Sequence, residues 1–109
     1  MSQAKKTGAP CSGNIRNTIS AVKIAAALSL SNMNVSSIEI AHMLNVTGAS
    51  ITKYLHKKYS AQTARLVSYI LSRGLEKKVV EKALSGGSKD EILMEIERSA
   101  SERKLLLMS

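Results

Sequence analysis

The chain predicts an all-α fold of about six helices, and three observations carry that reading. The single proline, Pro10, stands ahead of every periodic stretch, and no glycine occurs between Gly13 and Gly48. Helices run long where such breakers are scarce. Apolar residues recur at spacings of three and four, which places them on one face of a helix. The chain has no Trp and no Phe, so packing rests on Leu, Ile, Val, Ala and Met, several of them strong helix formers. At 44% hydrophobic and 22% charged residues, the 109-residue chain suits one globular domain and excludes a disordered class.

The elements follow in order. Residues 1–12 read as a flexible basic tail. A helix is expected over 14–30, where Ile15, Ile19, Val22, Ala26 and Leu30 share a face. Residues 31–34 form a connector. Ser36-Ser37-Ile38-Glu39 has the form of a capping box, in which Ser36 bonds the amide three residues on and Glu39 reaches back. The helix it opens, 36–45, carries Ile40, Ala41, Met43 and Leu44 and stops at Asn45, which tolerates the left-handed conformation. Val46 then enters the core, and Thr47 caps a helix over 48–58. Ser60 caps the next, which runs through Arg73 with Ala64, Val67, Ile70 and Leu71 inward, and Gly74 ends it. Residues 75–85 put Leu75, Val79, Val80, Ala83 and Leu84 on one face before Gly86-Gly87 breaks the helix. Ser88-Lys89-Asp90-Glu91 is a second capping box, opening a helix with Ile92, Leu93, Ile96 and Ala100 on one stripe. The chain closes with Leu105-Leu106-Leu107-Met108.

Charge is unevenly placed. The net charge is +8, and residues 1–75 hold nine Lys or Arg against one acid, Glu39, whereas residues 76–109 hold seven of each sign. The excess therefore belongs to the front of the chain and points to a polyanionic partner there. No apolar run approaches the ~20 residues of a membrane span. The basic stretches also lack the Trp and Phe anchors of interfacial helices. The first ten residues lack the apolar segment of a secretory signal, so a cytoplasmic setting is expected.

The stretch 36–58 carries the functional signal. Two helices joined by a tight turn can cross steeply only if a small residue sits under the crossing, a turn residue follows four places on, and apolar residues bracket both. Ala41 and Asn45 supply the first two; Ile40, Leu44, Val46, Ile51, Tyr54 and Leu55 supply the third. This pattern resembles the DNA-binding helix-turn-helix. The second helix, 48–58, is then the recognition helix. With Ile51, Tyr54 and Leu55 inward, the expected contact residues are Thr47, Gly48, Ala49, Ser50, Thr52, Lys53, His56, Lys57 and Lys58. Small residues at its start allow close approach to a groove. Ser50 and Thr52 can bond bases or phosphates, and Lys53 is the one long donor at mid-face. Lys57 and Lys58 suit backbone phosphates.

The resemblance extends over residues 11–59 to the small archaeal helix-turn-helix predicted transcriptional regulators. That family places a Pro-Ala-Ile-Arg-like segment ahead of the motif, where this chain has Ser20-Ala21-Val22-Lys23 followed by Ala25-Ala26-Ala27-Leu28. The motif itself is matched from Ile40-Ala41 through Leu44-Asn45-Val46-Thr47 to Tyr54-Leu55. Asn45 replaces the usual Gly, Lys53 replaces a small polar residue, and the cysteines the family tends to carry near its C-terminus are missing. The resemblance implies a transcriptional regulator that binds double-stranded DNA. The expected organisation is a DNA-binding domain over 13–74 and a helical pair over 75–109. The neutral, amphipathic pair would join two copies as a homodimer, with Ile92, Ile96, Ala100 and the closing leucines as its seam. Two other functions remain open: a DNA-packaging or partition-type protein with little base readout, and a protein–protein adaptor on the same scaffold.

Enzyme chemistry is not expected. His42 and His56 are fourteen residues apart and Cys11 is distant, so no metal-ligand spacing appears. No Gly-rich phosphate loop, paired-carboxylate site or Ser/His/Asp set is present, and neither a cofactor nor a catalytic residue is assigned.

Overall fold

Alanine decides the architecture. Ala21, Ala25, Ala26 and Ala27 have no exposed surface, and Val22, Ile24 and Leu30 of the same helix are also buried. A helix buried nearly all round belongs at the centre of a fold rather than on its surface. In the computed structural model, which describes residues 10–101 and side chains from residue 18 onward, this helix is α1, Pro10–Asn32. Around it lie α2 (Ser37–Leu44), α3 (Gly48–Leu55), α4 (Ala61–Arg73), α5 (Lys77–Leu84) and α6 (Lys89–Ala100). All five pack against α1; α2 also packs against α3 and α6, and α5 against α6. The described residues are all-α, with six helices and no strand, as the sequence predicts. The short alanine side chains let five neighbours approach one axis closely.

The caps set the boundaries. Ser36, Thr47, Ser60 and Ser88 are extended residues whose hydroxyls accept the amides of Glu39, Ser50, Thr63 and Glu91. Ser88 and Glu91 complete a reciprocal box, in which the Ser88 amide donates to the Glu91 carboxylate at 2.8 Å. At Ser36 the hydroxyl itself donates to Glu39 Oε1 at 3.3 Å. Gly74, at φ 68°, ends α4.

Several boundaries and faces differ from the sequence reading. α1 begins at Pro10, not residue 14, because proline fits a first turn, where its missing N–H would be unsatisfied anyway. α4 buries Leu66, Val67 and Ile70, and Leu71 is 38% exposed. Leu84 and Leu93, also expected inward, are 50% and 40% exposed. The seam expected between two copies is the largest correction. Ile92, Ile96 and Ala100 are buried within the single chain, where α6 packs on α1, α2 and α5. One hydrophobic core runs from Ala21 to Ala100, so α5 and α6 share it with the helices before them. The Ser99 hydroxyl donates to the Leu75 carbonyl at 3.0 Å, tying α6 to the start of α5. The closing leucines, 105–107, and the tail over 1–9 lie outside the described residues.

Candidate nucleic-acid interface

The α2–α3 unit is built by one turn residue and three buried side chains. Asn45 adopts φ 56°, in the left-handed region that asparagine enters more readily than most residues. The turn then closes with the Val46 amide on the Ala41 carbonyl at 3.0 Å and the Asn45 amide on His42 at 3.3 Å. Val46 is carried onto the core, as its position after the turn predicts. Ile40, Leu44 and Ile51 are almost wholly buried and pin the two helices to α1 and α6.

That anchoring divides α3 into two faces. Ile51 points into the core, with Tyr54 and Leu55 half-buried against it. Burial pushes the Tyr54 phenol above its ordinary range, which keeps it neutral. Thr47, Gly48, Ala49, Thr52, Lys53, His56, Lys57 and Lys58 are exposed, and Ser50 is half-buried. All nine residues expected to make contact thus have accessible surface. A β-carbon added at Gly48 would meet nothing within 4 Å, so the space before the helix start is open.

Two features of this face were not read from the sequence. The first concerns the hydroxyls. Thr47 Oγ1 accepts the Ser50 amide at 3.1 Å and donates to Ser50 Oγ at 3.0 Å. Thr52 Oγ1 donates back to the Gly48 carbonyl at 3.0 Å. The protons of Thr47 and Thr52 are therefore committed inside the helix, and Ser50 keeps the one hydroxyl proton of the three not engaged there. The signal was available: a Thr at an N-cap and a Thr four residues after a helical carbonyl both favour local bonds.

The second concerns the end of the helix. The sequence reading carries it to Lys58, but α3 stops at Leu55 with His56 as its cap. Lys57 turns left-handed at φ 58°, its amide donating to the Tyr54 carbonyl at 3.1 Å and the Lys58 amide to Lys53 at 2.8 Å. For a residue with a β-carbon that conformation costs roughly 1–2 kcal/mol. The capping Ser60 was the clue: a helix reaching Lys58 would leave only Tyr59 for the whole turn.

The electrostatics have one sign. From Val46 to Leu75 the chain has five Lys or Arg and no acid. Among the described residues the one ion pair is Arg98 with Glu95, at 3.5 Å on α6. Lys53, Lys57 and Lys58 therefore face solvent without a carboxylate partner among those residues, while Arg73 lies 5.3 Å from the centre of the Tyr69 ring. His42 and His56 are exposed, and among the described residues no three potential ligands gather as a metal site. No helix of the described residues is long and apolar enough to cross a membrane.

Compared with protein-family models, with curated proteins and with solved structures, the chain matches none.

Proposed function

We propose that this protein is a cytoplasmic, DNA-binding transcriptional regulator that reads double-stranded DNA with α3. The observation that supports this best is the exposed, acid-free surface of α3 and the turn after it, where Lys53, Lys57 and Lys58 have no carboxylate partner among the described residues and the buried Ile51 anchors the helix to the core. Phosphates are attracted to such a face. Each one neutralised releases counterions, so affinity falls with salt at a slope of about −0.9 per contact. The helix start adds a small contribution: its first turn has no acid, and its free amides favour an anion. The resemblance to the archaeal regulators supports the same reading through Ala41, Asn45 and the apolar bracket around them.

The protein acts as a homodimer in this proposal, because one recognition helix gives little specificity and a two-fold pair spans half-sites about 34 Å apart. The contact cannot use Ile92, Ile96 or Ala100, which are already buried. Leu84, Leu93 and Met94 are the large apolar side chains of α5 and α6 that stay exposed.

One observation favours a second reading, a DNA-packaging or partition-type protein with little base readout. With the Thr47 and Thr52 protons committed to local bonds, Lys53 and Ser50 are left as the principal donors on the helix itself. The experiment that separates the two is selection of bound DNA from a random pool, then titration of selected and scrambled duplexes over a salt series. A regulator prefers the selected duplex, and Lys53→Ala costs it about 1–3 kcal/mol there and less on scrambled DNA. Equal losses on both make Lys53 a phosphate contact and favour packaging. Affinity that stays flat with salt removes DNA binding altogether.

A further inference from the structure

Five described residues have positive φ, and four of them are of the types that accept it: Asn34, Asn45, Gly74 and Gly86. The exception is Lys57. It occupies the position after a helix end where glycine is the usual residue, because a β-carbon there crowds the following carbonyl. The backbone of this turn needs no lysine. Its two closing bonds, Lys57 amide to Tyr54 and Lys58 amide to Lys53, are made by main-chain groups alone. The side chain is exposed, and it pairs with no carboxylate among the described residues. A strained residue whose side chain is exposed and has no ion pair among the described residues points to a role in a complex.

We infer that Lys57 is the phosphate anchor of the α3 face, kept at a position where it lowers the stability of the free protein. The inference rests on the DNA reading above and goes further by assigning one residue a role separable from folding. The left-handed turn holds its α-carbon at a fixed place beyond the end of α3, because both neighbouring amides are bonded back into the helix. A cation there meets the sugar-phosphate backbone rather than a base edge. It sets how α3 lies along the groove without reading sequence.

Two variants separate charge from strain. Lys57→Gly removes both, and Lys57→Ala removes the charge and keeps the strain. Melting temperature and DNA affinity by fluorescence anisotropy, on selected and scrambled duplexes over a salt series, are the two readouts. Lys57→Gly should melt about 2–6 °C above the wild type, and Lys57→Ala close to it. Both should bind about 5–10-fold more weakly on either duplex, with a salt slope shallower by about 0.9 per chain bound. A Lys57→Gly protein that binds as tightly as the wild type with an unchanged slope overturns the anchor, while a steep wild-type slope leaves DNA binding standing. So does a Lys57→Gly protein that is no more stable than the wild type, since the strain would then be absent. A wild type whose affinity does not respond to salt overturns the DNA reading and the anchor together.

Discussion

Ile96 distinguishes a core within one chain from a seam between two. Its side chain is 1% exposed, on the face of α6 that packs into the fold. Ile96→Ala deletes three carbons, and at about 0.8 kcal/mol for each buried methylene the transfer loss is about 2.4 kcal/mol. The space left behind closes only in part, which raises the expected loss to about 3–4 kcal/mol. For a domain of this size that corresponds to a fall in melting temperature of roughly 12–30 °C. Urea unfolding followed by circular dichroism, at two protein concentrations tenfold apart, measures it. The midpoint of the variant should fall by the same amount at both concentrations, because the contact that is lost lies within the chain. A loss below about 1 kcal/mol, or one that shrinks as concentration rises, would refute the intramolecular placement of this residue and return it to a dimer seam.

Three further outcomes follow from the same geometry. Asn45→Ala should destabilise by about 1 kcal/mol and Asn45→Gly should not, because only the first puts a less tolerant residue at φ 56°; chemical denaturation gives both values. Gly48→Ala meets open space, so it should keep or slightly raise the melting temperature while weakening DNA binding if the helix start lies close to the duplex; unchanged affinity would remove the need for close approach. The Glu91 carboxyl is held below the usual glutamate range, first by the Ser88 amide it accepts and then by the charge of Lys82. Its folded value being the lower one, its contribution is present above the ordinary glutamate range and is lost as pH falls through the folded value. The melting temperatures of wild type and Glu91→Gln should therefore converge on acidification, and a gap independent of pH would contradict this.

What the sequence made legible was local. Ser36, Thr47, Ser60 and Ser88 marked four helix starts, and Asn45 and Gly74 marked two ends, because each acts through bonds to residues three or four places away. The outer face of α3 itself was legible for the same reason, since the burial of Ile51 and the half-burial of Tyr54 and Leu55 fix what remains outside, whereas the left-handed turn that carries Lys57 and Lys58 beyond the helix was not. What was not legible depended on partners distant along the chain. Ile92, Ile96 and Ala100 form an apolar stripe whether the surface opposite is α1 of the same chain or a second copy, and periodicity carries no information on which. Leu71 and Leu84 share helical spacing with buried neighbours, yet they fall at the margin of the buried stripe and stay partly exposed. The alanine run of α1 favours a helix by propensity, but its larger consequence is steric.

That steric consequence connects the core to the proposed interface. α3 is only eight residues long and would not hold a helical shape by itself. Its orientation comes from α1, against which it packs, and from α2, which is itself wedged between α1 and α6. The face that carries Lys53 and Lys57 is therefore placed by side chains on the far side of the core. Small residues along α1 are what permit this. With larger side chains at Ala25 or Ala26, the surrounding helices would have to move outward, carrying the α2–α3 unit with them. The C-terminal helices act on the same unit as well, because α6 packs on α2, whose Leu44 lines a small cavity with Ile92 and Ile96. Residues 75–100 thus contribute to DNA binding in this proposal even without touching DNA, by fixing the angle at which a short, strained and positively charged helix end is presented.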